Sequence, residues 1–160
     1  MRLVVASLLI VASLVAPAAG GQTPTGSGQQ ALRACALLTS ELVLTHSPTA
    51  NKKIMDLMPK QEDAVGPIGS GCQYGGVYLQ VDPFARSEQL RQSPAKDWSA
   101  VTGVGETAFF HNNRDRYAEL MVWTRNHHFT IQMSVPTGRT AESIRSNTID
   151  LAKALMPKLQ

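Results

Sequence analysis

Two cysteines, Cys35 and Cys72, set the strongest constraint on how this chain can fold. In an oxidising compartment they pair with each other, since no third thiol competes, and the bridge ties together two distant parts of the chain. Closing such a loop is expected to stabilise the fold by about 3–4 kcal/mol, because it restricts the unfolded chain. The competing interpretation, a redox-active or metal-binding thiol pair, lacks the Cys-x-x-Cys spacing typical of such sites.

The first 20 residues indicate that the chain is exported to such a compartment. Met1-Arg2 is positively charged, residues 3–15 are apolar apart from two serines, and residues 17–20 are Pro and small residues. These are the three parts of a cleavable signal peptide, and cleavage after Ala18 or after Gly20 fits equally well. The alternative is a retained anchor, but the apolar run is shorter than the roughly 20 residues that span a bilayer.

The rest of the chain divides into a linker and one domain. Residues 21–30 are rich in Gly, Ser, Thr and Gln, which predicts a flexible polar linker, and residues 31–160 suit a single domain. A lipoprotein carries its cysteine at the cleavage point, whereas Cys35 lies beyond the linker. We therefore expect a soluble secreted or periplasmic product with no integral membrane segment after removal of the signal.

The charge of the chain argues against nucleic acid as a partner. The formal net charge is +3 and is spread along the sequence, with Lys52-Lys53 as the adjacent basic pair. Nucleic-acid binding needs a clustered basic surface, which this pattern does not provide.

The predicted order of elements is that of an α+β domain. Helical spacing of apolar residues predicts a helix over 31–44 that carries Cys35 on its inner face, and alternation predicts a strand over 72–82. A bridge between Cys35 and Cys72 would thus join helix to sheet. The further predicted elements are a short helix over 87–92, strands around 107–110, 117–125 and 129–135, and a helix starting at Thr140.

Short connections between the last three strands favour an antiparallel meander. The predicted fold is therefore an α+β two-layer sandwich, in which an antiparallel sheet is flanked by the N- and C-terminal helices. Residues 111–116 and 126–128 are predicted to be turns between these strands.

Three histidines, His111, His127 and His128, are weak candidates for a metal site. Zinc needs three or four converging ligands, and adjacent residues on a strand point to opposite faces, so solvated turn residues are the simpler interpretation. A metal-handling protein or a hydrolase that uses these histidines remains an alternative function. Met55 and Met58 suggest copper only weakly, because apolar residues at that spacing also fill gaps in a core.

No motif predicts catalysis or a cofactor. Residues 103–108, Gly-Val-Gly-Glu-Thr-Ala, match the dinucleotide pattern G-x-G-x-x-A, but a strand follows where that motif requires a helix, so a turn into a strand is expected. The sequence also lacks a Gly-x-Ser-x-Gly nucleophile elbow, and both thiols are expected to be oxidised. We therefore expect a protein that is not an enzyme.

Aromatic residues suggest a binding surface on the sheet. Tyr78, Trp98 and Trp123 are expected to be partly exposed and are the candidate ligand-binding residues, whereas alternation places Phe129 inside. The leading hypothesis is an exported domain that binds a protein partner or a small apolar ligand across its sheet. An envelope structural or assembly factor is a further alternative.

Several short motifs together resemble a known family. They are Cys35-Ala-Leu-Leu-Thr39 on the first helix, Cys72-Gln-Tyr74 at the start of a strand, and the loop 103–108. The combination resembles a family of small exported bacterial proteins of unknown function, best known among actinobacterial lipoproteins. The resemblance implies a disulfide between Cys35 and Cys72 and an extracytoplasmic α+β domain, and it implies no established reaction. The chain departs from the lipoprotein pattern in the missing cysteine at the cleavage point.

Overall fold

The computed structural model describes residues 32–65, 69–83, 88–92, 94–113 and 116–159. The predicted signal peptide and linker, residues 1–30, lie outside this range. The described elements are α1 (Ala34–Leu37), α2 (Ser40–His46), α3 (Lys52–Leu57), β1 (Gln61–Val65), β2 (Gly69–Tyr74), β3 (Val77–Pro83), α4 (Glu88–Gln92), β4 (Trp98–Val101), β5 (Thr107–Asn113), β6 (Tyr117–Trp123), β7 (His127–Ser134) and α5 (Arg145–Leu155), with 3-10 turns at Glu142–Ile144 and Met156–Lys158.

Within the described residues, the strands form one seven-stranded sheet in the order β1-β2-β3-β7-β6-β5-β4. Every neighbouring pair is antiparallel, and helices precede and follow the strands in the chain, so the predicted α+β class is confirmed. Sequence patterns do not predict β1 or β4, and they predict β2 only over residues 72–74. The glycines of β2 indicate a loop, yet Gly71 lies within the strand. The absence of a Cβ at Gly71 leaves room for the phenol of Tyr78.

The single strand predicted over residues 72–82 is wrong, because β2 and β3 are two strands of a hairpin. Gly75 and Gly76 connect them with φ values of +54° and +80°. Positive φ at both central residues is typical of a type I′ turn, which matches the twist of the strands it joins. Glycine adopts this conformation without a steric cost.

The continuous helix predicted over residues 31–44 is also wrong, because the structure divides it into α1 and α2. Thr39 lies between them in an extended conformation, and its side chain accepts a hydrogen bond of 3.3 Å from the backbone N–H of Leu42. A threonine that caps a new helix must leave helical geometry, which ends the first helix. Leu37 and Leu38, on either side of the end of α1, both remain buried.

One face of the sheet forms the core. The register places Leu79 of β3, Ile131 of β7 and Leu120 of β6 beside one another, and all three are buried. Helix α5 packs against β6 and β7, where the hydroxyl of Thr148 lies 3.8 Å from the sulfur of Met133 on the same face. We call this the apolar face.

The alternate residues point to the opposite side, which we call the polar face. Its described central residues are Tyr78, Gln80 and Asp82 on β3, His128, Thr130 and Gln132 on β7, Tyr117, Glu119, Met121 and Trp123 on β6, Thr107, Phe109 and His111 on β5, and Trp98 on β4.

The predicted disulfide between Cys35 and Cys72 is confirmed, with 4.9 Å between the two Cα atoms. It joins helix α1 to the sheet at β2, as expected from the sequence, and the pairing of Cys72 with Leu79 places it on the apolar face. Two hydrogen bonds support the junction: the backbone N–H of Ala34 donates to the hydroxyl of Ser70 at 3.0 Å, and Lys60 Nζ donates to the carbonyl of Cys35 at 2.7 Å.

Among the described helices, none is both long and apolar enough to cross a membrane.

Removal of the disulfide tests how much the junction depends on it. Replacing Cys35 and Cys72 together by alanine is expected to lower the free energy of unfolding by about 3–4 kcal/mol, because the unfolded chain regains the freedom of the closed loop. Urea denaturation of the oxidised protein and the double variant measures this difference. A change below about 1 kcal/mol would show that packing alone holds α1 on β2.

Candidate functional site

A hydrogen-bonded row of side chains crosses the polar face. Gln132 Nε2 donates to Glu119 Oε1 at 3.1 Å, and Glu119 Oε2 lies 3.4 Å from His111 Nδ1. On the other side of the ring, His111 Nε2 lies 2.8 Å from Asp97 Oδ2. We call Asp97, His111, Glu119 and Gln132 the polar row. The row exists because the register places Gln132 opposite Glu119 and Glu119 opposite His111.

The imidazole of His111 has a carboxylate at each nitrogen. A ring that carries both protons donates to both carboxylates, whereas a neutral ring donates to one of them. Glu119 is the more enclosed of the two acids, while the side chain of Asp97 is 64% exposed. The polar row therefore begins at the half-buried side chains of Gln132 and Glu119 and ends at the exposed carboxylate of Asp97.

Trp98 provides an aromatic surface beside the polar row. It pairs with His111 across β4 and β5, and the two rings stack with centroids 4.8 Å apart and an interplanar angle of 24°. Trp98 is half-buried, and Tyr117 on the same sheet face is 40% exposed. Flat aromatic groups next to fixed hydrogen-bonding groups are typical of binding surfaces.

The carboxylates at the described positions of the polar face are not accompanied by Lys or Arg. Glu119 and Asp82 lie on its central strands, Asp63 lies on β1, and none of the described residues at polar-face positions of the sheet is Lys or Arg. Glu119 and Asp97 offer acceptor oxygens beside Trp98. This arrangement suits a partner that brings hydrogen-bond donors or a positive charge.

Trp123 corrects an expectation from the sequence. It lies on the polar face, as a candidate binding residue should, but it is fully buried instead of partly exposed. Its ring is 4.6 Å from the ring of His128 and 5.8 Å from that of Phe109. Alternation along β6 predicts which side a residue points to, but it does not predict what covers that side. Trp123 therefore supports the site from inside the domain.

Tyr78 and Trp98 share the polar face but lie far apart on it. Four strand spacings separate β3 from β4, which amounts to roughly 19 Å. The phenol of Tyr78 lies over Gly71, on the side away from the polar row. Burial and the charges of Asp63 and Asp82 raise the pKa of Tyr78. Tyr78 is paired with Gln132 at one end of the polar row, whereas Trp98 stacks on His111 near the other end.

The structure does not bring the three candidate histidines together. His111 lies within β5, and both His127 and His128 lie within β7. The turns predicted over 111–116 and 126–128 are therefore wrong at these three residues, which belong to strands. The ring of His127 points away from the polar face, with Nδ1 3.1 Å from the carbonyl oxygen of Leu159. Among the described residues, no group of three His, Cys, Asp or Glu side chains is placed to hold a metal ion.

His128 is a buried, neutral histidine. Burial lowers its pKa to about 4, and Asp82, whose Oδ2 lies 3.9 Å from His128 Nδ1, offsets part of this effect. Neither ring nitrogen has a hydrogen-bond partner among the described residues. The ring packs against Trp123 and belongs to the buried part of the polar face.

The glycine loop over 103–105 forms a turn into a strand, as predicted. Gly103 and Gly105 have φ values of +76° and +60°, and the loop connects β4 to β5. A Cβ at Gly105 would collide with the carbonyl oxygen of Trp123, which accepts a hydrogen bond of 2.8 Å from the backbone N–H of Glu106. These glycines therefore position β5 beside β6, and a strand follows them where the dinucleotide motif has a helix.

Sequence patterns did not single out three members of the polar row: Asp97, Glu119 and Gln132. A signal for Glu119 exists, since it is an acidic residue within the otherwise apolar stretch 118–123. Gln132 lies on the side of β7 that alternation predicts to be polar. Asp97 lies in the turn before β4, a strand that the sequence does not predict.

Comparisons with known proteins found no relative of this chain. No family model matches the chain, and no match was found among curated proteins or among solved structures. The resemblance to exported bacterial proteins of unknown function therefore stays an expectation, and the functional inference depends on the geometry described above.

The pH dependence of stability tests the burial of His128. Because its pKa is about 4 in the fold and about 6.5 when unfolded, its stabilising effect is complete above pH 6.5 and is lost as the pH falls towards 4. Between pH 7.5 and 4.5 this loss is about 2–3 kcal/mol. We expect His128→Gln to remove this part of the pH dependence in urea titrations.

His127→Gln is the matched control for the same substitution at the neighbouring position of β7, on the other face of the sheet. If both variants follow the wild-type pH profile, the ring of His128 is not buried in the neutral form.

Proposed function

We propose that this chain is an exported α+β domain, a two-layer sandwich, that binds a partner across the polar face of its sheet and does not catalyse a reaction. The observation that carries the proposal is the polar row with Trp98 stacked on His111. The row is held by hydrogen bonds between neighbouring strands before any partner arrives. Binding groups held in place in this way lose little conformational freedom on association.

The chemistry of the row favours a partner with a positive charge or several N–H donors. Asp97 and Glu119 supply carboxylate oxygens within reach of one imidazole, and Trp98 supplies a flat face beside them. A guanidinium or ammonium group can pair with a carboxylate and stack on an aromatic ring at the same time. A purely apolar ligand would cover these carboxylates without donating a hydrogen bond to them, so it fits the surface less well.

Binding is favoured over catalysis by what His111 contacts. Its described contacts are two carboxylates and an indole, and nucleophilic catalysis would instead require a hydroxyl or thiol within hydrogen-bond reach of the base. His111 therefore serves in this proposal to orient Glu119 and Asp97.

The extracytoplasmic location is part of the proposal. The disulfide between Cys35 and Cys72 is compatible with an oxidising compartment, and the composition of residues 1–20 is that of a cleavable signal. The mature product is then secreted or periplasmic, and the exposed end of the polar row at Asp97 meets partners outside the cytoplasm.

A titration with charged peptides tests the proposed function. Short peptides rich in Arg and Lys are added to the ¹⁵N-labelled protein and compared with Glu-rich peptides of equal length. We expect the basic peptides to shift the indole N–H of Trp98 and the side-chain amide of Gln132, and the acidic peptides to leave both in place. Glu119→Gln should weaken basic-peptide binding about tenfold, because a charge-assisted hydrogen bond is lost.

Asp63→Asn is the matched control, since this carboxylate lies on the same sheet face but on the distant strand β1. Binding that is insensitive to peptide charge, or equally weakened by Asp63→Asn and Glu119→Gln, contradicts a binding site at the polar row.

A further inference from the structure

Helix α3 carries exposed apolar side chains that the fold does not bury. Leu57 is 84% exposed, Ile54 is 56% exposed and Met58 is 54% exposed. Ile54 and Leu57, at positions i and i+3, share one side of the helix, and Met58 follows Leu57 directly as the extended C-cap residue. We call Ile54, Leu57 and Met58 the apolar stripe of α3. Exposed apolar groups that cluster in this way are typical of interaction sites.

The orientation of α3 is fixed by its neighbours, so the stripe cannot turn inward. Met55 is the buried residue of this helix, and its sulfur lies where a Cβ at Gly75 would approach to 2.8 Å. The side chain of Asn51 accepts a hydrogen bond of 3.3 Å from the N–H of Ile54 and caps the helix. With Met55 directed into the core, the apolar stripe faces outward.

Lysines surround the apolar stripe. Lys52 and Lys53 are exposed on α3, and Lys52 pairs with Asp56 at 2.8 Å. Lys60 is also exposed, but its Nζ donates to the carbonyl of Cys35. Lys53 lies four residues before Leu57 and therefore beside it on the helix surface. Residues 51–60 thus combine an excess of positive charge with an exposed apolar centre.

We propose that α3 docks on the surface of an anionic lipid bilayer, with the apolar stripe inserted between lipid headgroups and Lys53, beside Leu57, in contact with phosphates. Positive charge around an apolar stripe is the pattern of interfacial membrane-binding segments, and lysine stems extend their charges towards the headgroups. Protein interfaces are instead depleted in lysine and depend on Trp, Tyr and Arg, none of which occurs in residues 51–60. The apolar stripe includes no residue of the polar row, so this inference does not depend on the proposed function.

Hydrogen exchange with vesicles tests the proposal at the level of the helix. The exported protein is incubated with vesicles of phosphatidylcholine alone or of phosphatidylcholine with phosphatidylglycerol, and exchange is followed by mass spectrometry. We expect amides in residues 51–60 to be protected by the anionic vesicles only, while residues 145–155 of α5 keep their exchange rate. Because the readout is local, any binding by residues near the N-terminus does not obscure it.

Variants of α3 distinguish binding to a lipid surface from binding to a second copy of the chain. Leu57→Gln and Lys53→Glu should each weaken binding to anionic vesicles about tenfold in co-sedimentation, whereas Lys153→Glu, a matched charge reversal on α5, should not. Urea denaturation of each variant establishes that the fold is retained. No protection of residues 51–60 by anionic vesicles would overturn the proposal. A concentration-dependent dimer that Leu57→Gln abolishes, without vesicle binding, would overturn it in favour of a second copy of the chain.

Discussion

The register of the central antiparallel strands is the constraint on which the rest of this structure depends. With Leu79, Ile131 and Leu120 side by side, the residues between them, including Gln132 and Glu119, must point to the opposite side. A shift of one residue would exchange the two sets, because side chains alternate along a strand. Polar groups would then face α5 and apolar groups would face outward. The hydrophobic core and the polar row are therefore two results of a single pairing.

The N-terminal region extends this sheet and holds it to the helices. The type I′ turn at Gly75-Gly76 sets the pairing of β2 with β3, and that pairing places Cys72 on the apolar face. Cys72 then meets Cys35 of α1, so a covalent bond holds the helix where the core needs it. The same glycine turn gives Met55 its position, since a side chain at Gly75 would collide with it. The outward stripe of α3 thus follows from the turn as well.

Much of the interior could be predicted from sequence, whereas the surface site could not. The two thiols left one possible pairing, and strict alternation over 129–135 predicted β7 and its polar side. The turn at Gly75-Gly76 was missed because the residues on both sides of it read as one alternating strand. Trp123 was expected at the surface, since local patterns do not include the segments that cover a strand. The polar row joins residues far apart in the chain, and pairing across strands rather than spacing along the chain brings them together.

The most direct test is a measurement of proton–proton contacts by NMR. The described pairing predicts nuclear Overhauser effects between the rings of Trp98 and His111 on the polar face, and between the side chains of Leu79 and Ile131 on the apolar face. Contacts from Trp98 to Phe110, with no contact to His111, would show that β4 pairs one residue out of register. In that case the polar row does not form, and the binding site proposed on it is excluded.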